Sequence, residues 1–153
     1  MSNMMKAMIS GFVATLVLSA AMLLKAKFHI VPDELSVMSL LGRIAGGTPA
    51  AWADHFIIGT AIWGILFAGF DAVVPPRMPY WLKGVAFSVL AWLLMMVAFM
   101  PFAGAGFFGM KLGILAALVT LVQHLIYGVA LGVTFGLLVA FVPEKAPKRS
   151  PQT

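Results

Sequence analysis

The chain has 153 residues, of which 62% are hydrophobic and 10% charged, with a mean hydropathy of +1.04. A soluble domain carries about a quarter charged residues, so this chain cannot cover its apolar surface with polar groups and a lipid bilayer must do it. The net charge of +5 is spread over Lys and Arg residues at the ends of apolar runs, which points to headgroup contact rather than nucleic acid, and the lack of cysteine excludes disulfides, thiolate metal sites, cysteine-held iron–sulfur clusters and thiol catalysis.

Four apolar runs predict spanning helices at about 5–24, 53–74, 82–100 and 115–142. Residues 1–142 therefore read as one all-α domain, an integral membrane four-helix bundle. The first run is followed by Lys25 and Lys27. Lys6 and the SAA at 19–21 would also fit a signal peptide. The run continues to Leu24, however, and has a counterpart later in the chain, which favours a span.

The first outer loop contains PDELSVMSLLGRIAGG. Pro32 and Asp33 make a helix start, Leu35, Met38, Leu41 and Ile44 mark an apolar face, and Gly46-Gly47 a stop. The pattern predicts a short amphipathic helix, either lying on the outer membrane surface or folded over the bundle mouth as a lid. The second run ends at Pro75-Pro76 and the third at Pro101. The fourth, Leu112–Val142, would reach about 46 Å at ~1.5 Å per residue, beyond a hydrocarbon core of about 30 Å. It must tilt, protrude or bend near its glycines. Trp52 and the pair Tyr80-Trp81 sit at run ends, as an interfacial aromatic belt requires. Trp63 and Trp92 lie mid-run, as packing or lipid-facing residues. Residues 143–153 read as a disordered basic cytoplasmic tail.

Four spans place both termini on one side. That side carries Lys6, Arg77, Lys83, Lys145, Lys148 and Arg149, against Lys25, Lys27, Arg43 and Lys111 on the other. The bias favours cytoplasmic termini.

The chain also repeats itself. The first run begins GFVATLVLSAAMLL at Gly11 and the third GVAFSVLAWLLMMV at Gly84, each with a small hydroxyl residue four positions on, Thr15 and Ser88. The second run carries HFIIG from His55 and the fourth HLIYG from His124. Offsets of 73 and 69 residues relate the two pairs, so the chain reads as two parallel helical-hairpin repeats about an axis along the membrane normal. Gly128, Gly132 and Gly136 form a GxxxGxxxG stripe that admits a close helix. Gly59, Gly64 and Gly69 recur every five residues, a spacing that drifts around an α-helix. These glycines make the second and fourth helices the expected inner pair, with the first and third more lipid-facing.

His55 and His124 are the candidate ligand-binding residues. Two histidines on facing membrane helices can ligate a b-type haem axially, with glycines making room for the macrocycle. A metal or quinone site would add His29. The plainer reading is a pair of interhelical or headgroup hydrogen bonds, with Asp54 near His55, and Gln123 and Tyr127 near His124, as partners. No cofactor is required on that reading. Asp71 with Arg77 or Lys83 reads as an interfacial ion pair. HExxH, GxSxG and phosphate-binding glycine loops are missing, and GAGFFG at 104–109 follows a membrane helix rather than a strand. The expectation is a protein that is not an enzyme and has no catalytic or metal residues.

The stretch LGRIAGGTPAAWADHFIIGTAIWG, with the later HLIYGVALG, resembles an uncharacterised family of small four-span bacterial membrane proteins, a domain of unknown function. The resemblance covers residues 8–140 through Pro32, Asp33, His55 with Gly59, and His124 with Gly128. It implies four helices and a bacterial cytoplasmic (inner) membrane, and no activity. The leading expectation is a non-catalytic accessory or assembly subunit of a larger membrane complex, partnered by the lipid bilayer and by another membrane protein or a second copy. The alternatives are a haem- or quinone-binding redox protein using His55 and His124, and an oligomeric passive carrier or pore.

Overall fold

The computed structural model describes residues 1–28 and 37–142. Pro32, Asp33, His29 and the tail from residue 143 lie outside the described residues. The helices are α1 (Asn3–Lys27), α2 (Val37–Ala45), α3 (Thr48–Val73), α4 (Tyr80–Phe102) and α5 (Ile114–Phe141). All but α2 are long and apolar enough to cross a membrane. The start of α1, the end of α5 and the α3–α4 turn define a terminal end of the bundle. α2 and the α4–α5 loop define the opposite, distal end.

Local chemistry sets the boundaries. Ser2 caps α1 by accepting the Met5 N–H at 3.3 Å, and Lys25 and Lys27 sit in its last turn, where the helix dipole favours cations. α3 starts at Thr48, five residues before the expected 53, because Pro49 falls in its first turn, where a missing N–H costs no helical hydrogen bond. α4 continues through Pro101, the expected stop. A π-turn over Met95–Phe99 widens the helix just before it, with the Met100 N–H reaching the Met95 carbonyl. A second π-turn, Ile58–Ile62, lies within α3. α5 spans 28 residues, about 42 Å at ~1.5 Å each, and so extends past a membrane core of about 30 Å.

The glycines do not pair α3 with α5. Gly59 and Gly64 of α3 face α1, and Gly69 faces open space. A Cβ added at Gly64 would sit 2.9 Å from the Met8 Cα, and one at Gly59 3.2 Å from the Thr15 Cβ. Those of α5 face α4. A Cβ at Gly128 would lie 2.6 Å from the Gly84 carbonyl oxygen, and one at Gly132 2.8 Å from the Trp81 Cα. Each hairpin is thus zipped along its own length, and α1 packs along α5 to join the two. The expected inner pair is therefore corrected. The small residues of α1 and α4 supply the faces that the glycines need, and α3 is the span with the least of its length buried.

The hairpins repeat the same contacts. Gly11 approaches the Gly59 carbonyl and Thr15 the Gly59 Cα, as Gly84 approaches the Gly128 carbonyl and Ser88 the Gly128 Cα. The π-turn accounts for the spacing in α3. With one extra residue in the turn, glycines five apart fall on one face, as glycines four apart do in α5.

The terminal half of the bundle is filled by Phe67, Phe87 and Phe135, whose rings meet edge-on at centroid distances of 5.4 and 5.2 Å. Trp63 packs against Phe87 at 6.0 Å, so this mid-run tryptophan faces the core. Lys83 of α4 donates to Asp71 of α3 at 2.7 Å, with side chains only 4% and 15% exposed. The expected ion pair thus forms with Lys83 rather than Arg77, buried between α3 and α4 close to their terminal ends. At the distal end, α2 buries Leu40 against Met96, Met100, Ala105 and Ala117. α2 therefore covers the bundle mouth, while Arg43 and Ile44 remain exposed. Gly46 and Gly47, with φ of +89° and +131°, turn the chain from α2 into α3 through backbone that other residues rarely adopt.

Candidate functional site

Between the filled terminal half and the α2 cover lies a cavity of about 640 Å³. α1 and α5 form its back wall through Thr15, Leu18, Met22, Thr120, His124 and Tyr127. α3 contributes His55, Ile58, Gly59 and Trp63, and α4 contributes Ala91, Met95, Ala98 and Phe99. Met38 and Leu41 of α2 close the distal side. The lining also includes Leu94 and Phe102, both exposed, so the cavity reaches the bundle surface along α4. Both π-turns contribute to its walls. Its volume is typical of small-molecule sites, about 300–1,000 Å³.

The structure brings His55 and His124 to this one cavity. Their partners differ from those expected. His55 Nε2 lies 3.2 Å from Ser19 Oγ on α1, not on Asp54, which is one residue away and so points to another side of the helix. Ser19 already donates its only hydroxyl proton to the Thr15 carbonyl at 2.7 Å. His55 Nε2–H is therefore the donor, and Nδ1 of the neutral ring carries the lone pair. The ring is further fixed edge-on by Trp52 and Phe56, at centroid distances of 5.7 and 5.8 Å. His124 turns back on its own helix, and its Nδ1–H donates to the Thr120 carbonyl at 2.8 Å. That assignment leaves Nε2 as the acceptor of the neutral ring.

Tyr127, expected beside His124, instead donates to the Gly59 carbonyl at 2.6 Å and ties α5 to the π-turn of α3. Trp92 Nε1–H donates to Thr120 Oγ1 at 3.2 Å, and Thr120 in turn donates to the carbonyls of Ala116 and Ala117 at 2.9 Å. Ser19, Trp92 and Thr120 were not singled out as site residues by sequence. The signal available was the repeat. Ser19 follows Thr15 by four residues and Trp92 follows Ser88 by four, so both face the histidine-bearing helix of their own hairpin.

The packing glycines lie on the terminal side of the histidines. Gly59 also lines the cavity, whereas Gly64, Gly128, Gly132 and Gly136 serve the helix seams. Among the described residues, no three His, Cys, Asp or Glu side chains gather as a metal would need.

The geometry defines a class: a small four-span helical membrane protein with a histidine-lined cavity inside the bundle. The chain belongs to DUF6789, a family of unknown function, whose model matches residues 1–143. No match was found among curated proteins or among solved structures.

Proposed function

We propose that the protein is a non-catalytic multi-pass protein of a bacterial cytoplasmic membrane, termini in the cytoplasm, that holds a lipid-soluble small molecule in its cavity. The observation that carries this reading is the cavity itself. It combines about 640 Å³ of mainly apolar wall, an opening on a lipid-facing flank and two histidines at one locus. Cavities with a few convergent polar groups on apolar walls are the usual form of ligand sites. A molecule dissolved in the bilayer would enter beside Leu94 and Phe102 and place its polar end among the histidines. Such a holder needs no chemistry of its own, which fits an accessory subunit serving a larger membrane complex. The sequence count of Lys and Arg, with Lys6, Arg77, Lys83, Lys145, Lys148 and Arg149 on the side of the termini against Lys25, Lys27, Arg43 and Lys111 on the other, supports the cytoplasmic orientation.

The test is to purify the protein in mild detergent, extract it with organic solvent and identify what is released. Wild type should yield a near-stoichiometric lipophilic compound, and Ala98→Trp, which fills the cavity from α4, should yield none. Equal yields from both proteins, or nothing from wild type, would end the reading. An absorption spectrum of the same preparation addresses haem b. His124 Nε2 is free to ligate iron, but on His55 the Nε2 is engaged by Ser19 and the free lone pair is on Nδ1, whose neighbouring Cβ crowds a macrocycle, so ligation through Nε2 would need that ring to turn. This favours an organic ligand over haem. A Soret band that shifts on reduction would reverse the preference.

A further inference from the structure

The hydrogen bonds around the cavity determine what kind of polar group it can accept. Every hydroxyl and ring N–H given a partner at its wall donates inward, to the protein. Thr15 donates to the Gly11 carbonyl at 2.7 Å, Ser19 to Thr15, Thr120 to Ala116 and Ala117, and Tyr127 to Gly59. Trp92 Nε1–H is spent on Thr120, His55 Nε2–H on Ser19 and His124 Nδ1–H on the Thr120 carbonyl. Three groups remain to face a ligand. They are the lone pairs on His55 Nδ1 and His124 Nε2, neither with a hydrogen-bond partner among the described residues, and the Gln123 amide, which both donates and accepts. The site is rich in acceptors and poor in donors.

From this balance we infer that the cavity selects a lipid-soluble hydroxyl compound of the phenol or quinol class over the corresponding ether or quinone. The inference rests on the reading of the cavity as a ligand site. A phenolic O–H donates to an imidazole lone pair, and its oxygen can accept from the Gln123 amide. An ether or quinone oxygen has no proton to give. It leaves the histidine acceptors unpaired in a low-dielectric site, which costs more than the same loss in water. A flat ring also suits a space walled by Trp63, Phe99 and the thinned backbone at Gly59. The two histidines come from α3 and α5, one in each hairpin, so each can take a hydroxyl of its own. A para-quinol, which carries one at each end of its ring, is the member of the class that uses both.

The experiment uses the full-length protein in lipid nanodiscs and two stable probes of nearly equal lipophilicity, 4-nonylphenol and 4-nonylanisole. Binding is read from the quenching of tryptophan fluorescence, to which Trp63 at the wall reports, and is confirmed by calorimetry. The phenol is expected to bind about tenfold tighter than the anisole, as one hydrogen bond to a buried acceptor implies. His124→Phe should cut that ratio by lowering phenol affinity while leaving anisole affinity within twofold. The wild-type ratio alone decides the matter if the variant fails to fold. Equal affinities in wild type would overturn the donor inference and leave the cavity a ligand site. Failure of both probes to bind would overturn the inference and the ligand-site reading together.

Discussion

Replacing Gly128 with alanine tests how the α4–α5 seam is held. The new Cβ would lie 2.6 Å from the Gly84 carbonyl oxygen and 2.7 Å from the Ser88 Cβ. Relaxed carbon contacts are about 3.5–4.0 Å, so the helices must part by about 0.8 Å near this point. Ser88 Oγ, which lies closer still, can swing aside, but the Gly84 carbonyl is backbone and the Ser88 Cβ is fixed to the backbone, so neither yields without moving the helix. A gap of that size forfeits a quarter to a half of each dispersion contact along the seam, and overpacking of this kind costs about 1–3 kcal/mol. In a bilayer no hydrophobic term drives the helices back together, because lipid is as apolar as the seam. Gly69→Ala is the control. Its Cβ meets nothing within 4 Å, and alanine within a helix is favoured over glycine by about 0.5–1 kcal/mol. Unfolding in dodecyl sulfate–maltoside mixtures, followed by far-UV circular dichroism, should move the two midpoints in opposite directions. Gly84→Ala added to Gly128→Ala should cost less than the sum of the single changes, since the seam is already parted. Equal midpoints for Gly128→Ala and Gly69→Ala would refute the close approach of α4 and α5.

Lys83→Met strands the Asp71 carboxylate inside the bundle and should destabilise by about 3 kcal/mol or more, whereas Lys83→Met with Asp71→Leu should be near neutral in the same unfolding assay. Thr60 Oγ1 is buried with no hydrogen-bond partner among the described residues. Thr60→Val should therefore leave stability unchanged or raise it by about 1 kcal/mol in thermal denaturation, because no hydrogen bond is lost. Tyr127→Phe removes the 2.6 Å bond to the Gly59 carbonyl and should cost about 1–2 kcal/mol, with faster hydrogen exchange in the α3 π-turn as its local signature.

The spans were legible because bilayer thickness imposes a long apolar run that few other structures need. The contact partners were not. Glycine stripes at 59–64 and 128–136 state that some backbone comes close, and they are silent about which one. The answer lay in Gly11, Thr15, Gly84 and Ser88, whose small size is inconspicuous among leucines and valines. Pro101 reads as a stop because a proline ring collides with the carbonyl four residues back in an α-helix. The π-turn before it changes that geometry, and no residue pattern announces it. The histidines were found because a basic ring is rare in a membrane helix. Their partners were misjudged because sequence neighbours such as Asp54 point elsewhere, while Ser19 belongs to another helix. The placement of α2 was left open between membrane surface and bundle mouth. Leu40, off the three-residue apolar stripe, is the side chain that anchors it over the bundle.

The two hairpins are near copies, yet the bundle closes on one side and opens on the other. α1 packs along α5, whereas α3 and α4 meet mainly through Phe67, Phe87, Trp63 and the Lys83–Asp71 pair toward the terminal end. Exact two-fold symmetry would make those two seams alike. The π-turn of α3 offers a test of where the difference arises. Between Gly59 and Gly64 it holds one residue more than the matching segment of α5 holds between Gly128 and Gly132. A π-turn absorbs an inserted residue without rotating the flanking helix, so deleting Ala61 should restore an ordinary α-helix with both glycines still against α1. Deleting one residue from a regular α-helix would instead rotate everything beyond it by about 100° and break the α1–α3 seam. The deletion should therefore fold, with a detergent-unfolding midpoint near that of wild type, while the cavity wall at Ile58 and Gly59 draws in and probe binding falls. A deletion that unfolds the protein would show that the turn is not an inserted residue, and the asymmetry of the bundle would need another source.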